Sequence, residues 1–324
     1  MIRDVAPAPD DTGLYTSRGF LEVIAAVYFP GRCCHIRDHA VAGLVFRLLT
    51  VDSQGPVLRQ TFLDMHEPLP GVAPRAGQPS VALLPGVAQG LVGVRTFRQR
   101  SVADGWLGAP TTRWEDFPTW DTYLAMLRQR HVLAEDQRRL RRLEETVGPV
   151  DFLVEDPADD VLPTAFAWKS ARDREMARPD LFANDANRRF FQEMRARGLL
   201  RASTIRADGQ LLAVWLGAIH RRRWSGWVFA FDAEPSLAKY SLGRQLLYPM
   251  LQASHAAGHD EFDFSIGTEA YKLHFATHVR PIGPLGTPPA AQRAAAAVRQ
   301  LLVGHTWWHE RARAVRRWVG ARSE

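Results

Sequence analysis

Residues 208–232 read DGQLLAVWLGAIHRRRWSGWVFAFD, and this stretch decides the architecture. Asp208-Gly209 supplies the positive backbone angles of a tight hairpin turn, so residues 200–205 and 211–219 on either side pair as antiparallel strands. Residues 223–231, carrying Trp224, Trp227, Val228, Phe229 and Phe231, read as a third strand. Further on, Leu246, Leu247, Met250 and Leu251 recur at helical spacing within 242–257, and Gly258 stops that helix. A short strand over 261–264 and a short helix over 269–276 follow. Three antiparallel strands, a helix, a strand and a helix form an α+β layer, not a regular α/β alternation.

Working outward, residues 17–28 place Phe20, Leu21, Ile24, Ala25 and Tyr28 on one helical face, closed by Pro30-Gly31. The apolar runs 33–37 and 41–49 predict a hairpin turning at Asp38-His39-Ala40. Residues 56–118 are dense in Pro and Gly, which allows strands and loops and excludes a long helix. Residues 120–146 predict a long helix or a helix pair ended by Gly148-Pro149. A strand over 150–154 and helices over 161–176 and 187–198 complete the pattern. The expected divisions are a first domain over 1–119, connecting helices over 120–160, a second domain over 161–289 and a basic helical tail over 290–324.

The composition, 46% hydrophobic and 23% charged, is that of a folded globular chain and excludes disorder. No apolar run approaches the roughly 20 residues that span a bilayer, and the start MIRDVAPAPDDTG lacks a secretory pattern. A cytoplasmic address is therefore expected. The formal net charge is +6. Residues 290–324 hold seven Arg, no Lys and two Glu, or +5, so the rest of the chain is close to neutral. Only that tail, with Trp307, Trp308 and Trp318, offers a basic surface for phosphates, while its tryptophans fit docking on the protein body. Cys33, Cys34, His35 and His39 match no standard zinc spacing, and no metal is expected.

The strings FDFSIGTEAYKLHFA (262–276), DGQLLAVWLGAIHRRRWSGWVFAFD (208–232) and SLGRQLLYPML (241–251) resemble segments of the CelD/BcsL-like acyltransferases, in the FemAB-related branch of the GNAT superfamily. LPTAFAWKSARDRE (162–175) and QRRLRRLEETVGPVDFLVE (137–155) sit where that family has similar strings. The resemblance runs from about residue 121 to 281. It implies a GNAT fold, in tandem with a degenerate GNAT-like domain in the N-terminal half. It also implies acyl transfer from an acyl-CoA cosubstrate to a small amine acceptor. Ser241-Leu242-Gly243-Arg244 lacks the second glycine of the usual phosphate-binding turn. An aminoacyl-tRNA donor, with tRNA held by the Arg-rich tail, therefore stays open, as does a catalytically inactive binding module.

A CoA pyrophosphate needs converging backbone N–H groups, which the first turn of a helix supplies. Ser241 and Gly243 stand at such a turn, with Arg244 and Lys239 as nearby cations; a plain helix cap explains the same residues. The resemblance places the thioester between the strand ending at Phe231 and the strand 261–264, where N–H groups of Val228, Phe229 and Ala230 would polarise its carbonyl. Strand alternation turns Asp263 away from Phe262 and Phe264, making it the candidate base, with Asp232 and Glu269 as substitutes. Tyr271 matches the family's thiolate-protonating tyrosine. Lys272 beside it pairs with a phosphate or with Asp263, and His274 accompanies them. Trp168 and Lys169 fall on the acceptor side together with Asp232. Packing alone accounts equally well for Trp168 and Tyr271.

Overall fold

The computed structural model describes residues 2–5, 13–41, 43–52, 54–58, 66–69, 71–76, 78, 95–96, 107–176, 178–265 and 270–282. The expected tail and Glu269 lie outside them. Residues 1–285 make one compact unit. Its helices are α1 (Arg18–Tyr28), α2 (Trp120–Gln129), α3 (Leu133–Val147), α4 (Val161–Glu175), α5 (Asp185–Ala196), α6 (Leu242–Ala256) and α7 (Ala270–Phe275). No described helix is long and apolar enough to cross a membrane.

The principal sheet has eight strands: β5 (Arg95–Thr96), β6 (Leu107–Arg113), β7 (Val150–Leu153), β8 (Leu200–Ala207), β9 (Gln210–His220), β10 (Arg223–Phe231), β11 (Glu261–Asp263) and β12 (His278–Ile282). Their spatial order is β5-β12-β6-β11-β10-β9-β8-β7. Every pairing is antiparallel except β10 with β11. A smaller sheet joins β1 (Ile2–Val5), β2 (Cys34–Val41), β3 (Leu44–Val51) and β4 (Gly55–Pro56) in that order.

The α+β class and the central element order agree with the sequence reading, and local chemistry explains the elements. Ser17 Oγ accepts the Phe20 N–H and caps α1. Residues 120–147 are a helix pair, broken where His131 takes a φ of 58° and ended by Gly148 at 84°. The first hairpin differs from expectation. Its turn falls at Gly43, with a φ of 80°, and Asp38-His39-Ala40 lie within β2. Cross-strand pairing explains the shift, since Asp38 faces Arg47 and accepts its Nε at 2.8 Å.

Alternation sends side chains to two cores, one on each sheet face. One gathers α1, α4 and α5 over Leu200, Val214, Leu216, Val228 and Ala230. The other gathers α2, α3, α6 and α7 over Ile205, Trp215, Trp224 and Phe262. Full burial of each large side chain contributes about 1.5–3 kcal/mol. β6 comes from the N-terminal half, yet it lies between β11 and β12, well inside the sheet.

Candidate functional site

Two irregularities in β10 build the site. The register with β9 shifts between Gly226 and Val228, a bulge that puts Trp227 and Val228 on the same face. Phe229 and Phe231 consequently turn to the opposite face, against α6. The second irregularity is the short partner. β11 pairs with β10 only at Arg223, Trp224 and Ser225. From Gly226 to Phe231 β10 keeps β9 on one side and, among the described residues, has no strand on the other. Ser265, with a φ of 61°, turns the chain away just past β11.

Beside this opening lies a cavity of about 220 Å³, lined by Trp215, Phe229, Phe231, Leu237, Ala238, Ser241, Leu242, Gly243, Arg244 and Tyr271. Of the sequence-derived candidates it unites Phe229, Ser241, Gly243, Arg244 and Tyr271. The start of α6 forms one wall. The Ser241 carbonyl accepts the N–H groups of Arg244 and Gln245, while the first-turn N–H groups of Leu242 and Gly243 have no intrahelical acceptor. Ser241 makes no side-chain cap; its φ is 55° and its Oγ accepts a hydrogen bond from Arg139. A Cβ on Gly243 would sit 2.8 Å from the Phe229 ring, so the glycine lets that ring lie against the helix start. Arg244 Nη2 donates to the buried Asp136 at 2.6 Å, and Tyr248 donates to the same oxygen at 2.7 Å. The buried Nε of Arg244 has no hydrogen-bond acceptor among the described residues, nor has Trp215 Nε1. Two cavity-lining side chains thus carry spare donors.

Asp263 lies on the other face, fully buried. Its Oδ2 accepts Arg280 Nη2 at 2.6 Å and Ser225 Oγ at 3.1 Å, and its Oδ1 accepts the Ser265 N–H at 2.7 Å. The cation beside it is therefore Arg280. Arg280 also donates to Glu67 at 2.5 Å, and Arg223 bridges Glu67 and Glu261. Burial works to raise the pKa of both glutamates, but Arg223 and Arg280 outweigh it and hold them below the usual carboxylate range. Tyr15 closes this cluster. Its hydroxyl accepts Trp227 Nε1 at 3.0 Å, and burial followed by the Asp263 charge pushes its pKa up.

The remaining candidates stand apart from the cavity lining. Val228 and Ala230 face the first core, and Trp168 on α4 packs against that same core. Lys169 is paired with the buried Asp173 on its own helix. Asp232 accepts the Glu234 N–H at 3.1 Å in the turn after β10. Lys272 is buried. His274 is shifted to lower pKa by burial and then by Arg244 and Arg130. Sequence reasoning passed over Trp215, Phe231 and Leu237, which line the cavity. It also passed over the charged cluster of Glu67, Arg223, Glu261 and Arg280, whose members lie up to 213 positions apart. Alternation along β9 and β10 was the only signal available for Trp215 and Phe231.

Residues 130–273 match a family model described as an acetyltransferase (GNAT) domain. No curated protein sequence matches the chain. Among solved structures it is similar to FemX, at 11% identity over 55% of this chain and 60% of that one, with a TM-score of 0.42. It is similar to the C-terminal domain of a putative lysylphosphatidylglycerol synthetase from Agrobacterium fabrum, at 15% identity, 70% and 73% coverage and a TM-score of 0.38. A GNAT family acetyltransferase from Brucella melitensis in complex with acetyl-CoA is 15% identical over 44% of this chain and 91% of that one, with a TM-score of 0.33. The chain spans about three-fifths of the length of FemX. Residues 130–273 thus match an acetyltransferase (GNAT) domain, in agreement with the α+β element order of that segment.

Proposed function

We propose that the protein is a cytoplasmic N-acyltransferase that moves an acyl group from acyl-CoA to a small amine by direct attack. The observation that carries this reading is the cavity where β10 loses its β11 neighbour, walled by the start of α6. A CoA thioester fits this lining: the first turn of α6, whose leading N–H groups have no intrahelical acceptor, Arg244 beside it, and aromatic walls for the apolar arm. When bound, that group supplies the acyl carbon and a thiolate leaving group.

In this reading Gly243 and Ser241 hold the phosphates with Arg244. The N–H groups of β10 around Val228, Phe229 and Ala230 face the acyl oxygen at the bulge. As the C–N bond forms and the C–S bond breaks, Tyr271 delivers its phenolic proton to the sulfur. The amine proton leaves through water toward Asp232 or Glu269, since Asp263 is buried and engaged with Arg280 on the other face. Lys272 supports the charge balance, and Trp168, Lys169 and Asp232 border the acceptor. The N-terminal 1–119 as a degenerate GNAT-like domain belongs to the same proposal.

The deciding experiment offers the purified chain acetyl-CoA, a longer acyl-CoA and aminoacyl-tRNA in parallel, with binding read by native mass spectrometry. Binding of an acyl-CoA, with release of free thiol when amines are added, supports the reading. Binding of aminoacyl-tRNA alone, weakening steeply with salt, points to the amide-forming ligase instead. Binding of none points to an inactive module.

A further inference from the structure

We propose that Cys33, His35 and Asp52 form a binding site for a divalent metal ion of the zinc class, outside the acyltransferase cavity. In the sequence Cys33, Cys34, His35 and His39 fall together without a standard zinc spacing, and no metal is expected; the third ligand, Asp52, comes from the far end of the hairpin. The fold brings the three together by register. Cys34 is buried and pairs with Val51, so alternation turns Cys33 and His35 to the other face of β2. Asp52 follows Val51 directly, and its N–H donates to the Cys33 carbonyl at 3.0 Å, fixing the two chain ends side by side.

The ligand atoms all lie within 4.8 Å of one another. Cys33 Sγ is 4.0 Å from His35 Nε2, which is 3.0 Å from Asp52 Oδ1. Bonds of about 2.0–2.3 Å from one central ion reach such a trio with small side-chain adjustments. The Asp52 carboxylate is engaged by the two other proposed ligands, His35 and Cys33. Cys33 is half-buried and Asp52 exposed, which gives an ion an entry path and room for water as a fourth ligand. A thiolate, an imidazole and a carboxylate favour zinc, or cobalt as its spectroscopic substitute, over magnesium or calcium. The thiolate and the carboxylate together offset the two positive charges. His39, included in the sequence motif, is not part of the site, since its Nε2 is engaged with Thr50 Oγ1 at 3.2 Å.

The test uses the full-length chain, reduced and stripped of metal, titrated with Co²⁺. One equivalent should bind, giving a near-ultraviolet thiolate-to-cobalt band that Zn²⁺ displaces. Cys33→Ser should abolish that band, His35→Gln and Asp52→Asn should each weaken binding at least about ten-fold, and His39→Gln should leave it in place. Zn²⁺ should also raise the melting temperature of the native chain and not that of Cys33→Ser. Should Cys33→Ser fail to fold by circular dichroism, Asp52→Asn, at an exposed carboxylate, carries the same test. Absence of one-equivalent binding to the native chain, or an undiminished band in a folded Cys33→Ser, would overturn the site.

Discussion

Asp263 shows how a side chain's surroundings redirect an experiment on it. Its position between two inward phenylalanines was legible from alternation alone, and the observed face agrees. Its cationic partner was not legible, since Arg280 lies beyond a helix, and Arg280 is shared with Glu67 from the other half of the chain. A fully buried carboxylate that accepts from a guanidinium, a hydroxyl and an N–H is part of the core. Asp263→Asn should therefore lower stability by about 3 kcal/mol as well as activity, seen as an earlier urea midpoint. Tyr271 is different, because it borders the cavity and lies only partly buried. Tyr271→Phe should reduce the chemical step by about 100-fold or more with acyl-CoA affinity nearly unchanged. Single-turnover kinetics reads both, and wild-type rates would remove the phenol from the proton path.

At the level of elements, β10 and α6 are coupled through one missing methyl group. The sequence marks Gly243 as a place where phosphate could approach, whereas the coordinates show the Phe229 ring already against it. Gly243→Ala should cost about 1–3 kcal/mol by overpacking and weaken acyl-CoA binding. Adding Phe229→Leu should restore most of the thermal stability, which differential scanning calorimetry resolves. If the single variant melts like wild type, the ring does not hold the helix start. β6 was not singled out in the sequence, which left strands and loops open over residues 56–118. Its residues LGAPTTR carry Pro110, which lacks a ladder donor. The proline is tolerated because β11 pairs only with Thr111, Thr112 and Arg113, and at Pro110 only its carbonyl is used, by the Phe264 N–H. The strongly periodic helices, by contrast, were readable to within a few residues.

Across the whole molecule, pH should act first through buried imidazoles. Burial lowers the His66 pKa to about 4 from 6.5, and it lowers His39 and His259 in the same direction. Between those pH values the unfolded chain binds the His66 proton and the folded one does not, so stability falls as pH drops from 6.5 to 4. The His66 contribution is about 3 kcal/mol over that span, and urea titrations of His66→Gln should show a flatter slope there. Glu67 and Glu261, with depressed pKa values, lose their contribution only as pH falls further, below the ordinary glutamate range. The place of β6 also sets a timetable for the newborn chain. Residues 107–113 leave the ribosome well before their neighbours 261–263 and 278–282 exist. At about 5–20 residues per second the delay is on the order of 10–30 s. During that wait the strand has neither flanking partner, and a chaperone that shields it should raise the yield of folded protein. Residues 161–289 made alone would leave β11 and β12 with open edges on either side of an empty slot, and should aggregate. Co-expression of residues 1–160 should return that fragment to the soluble fraction.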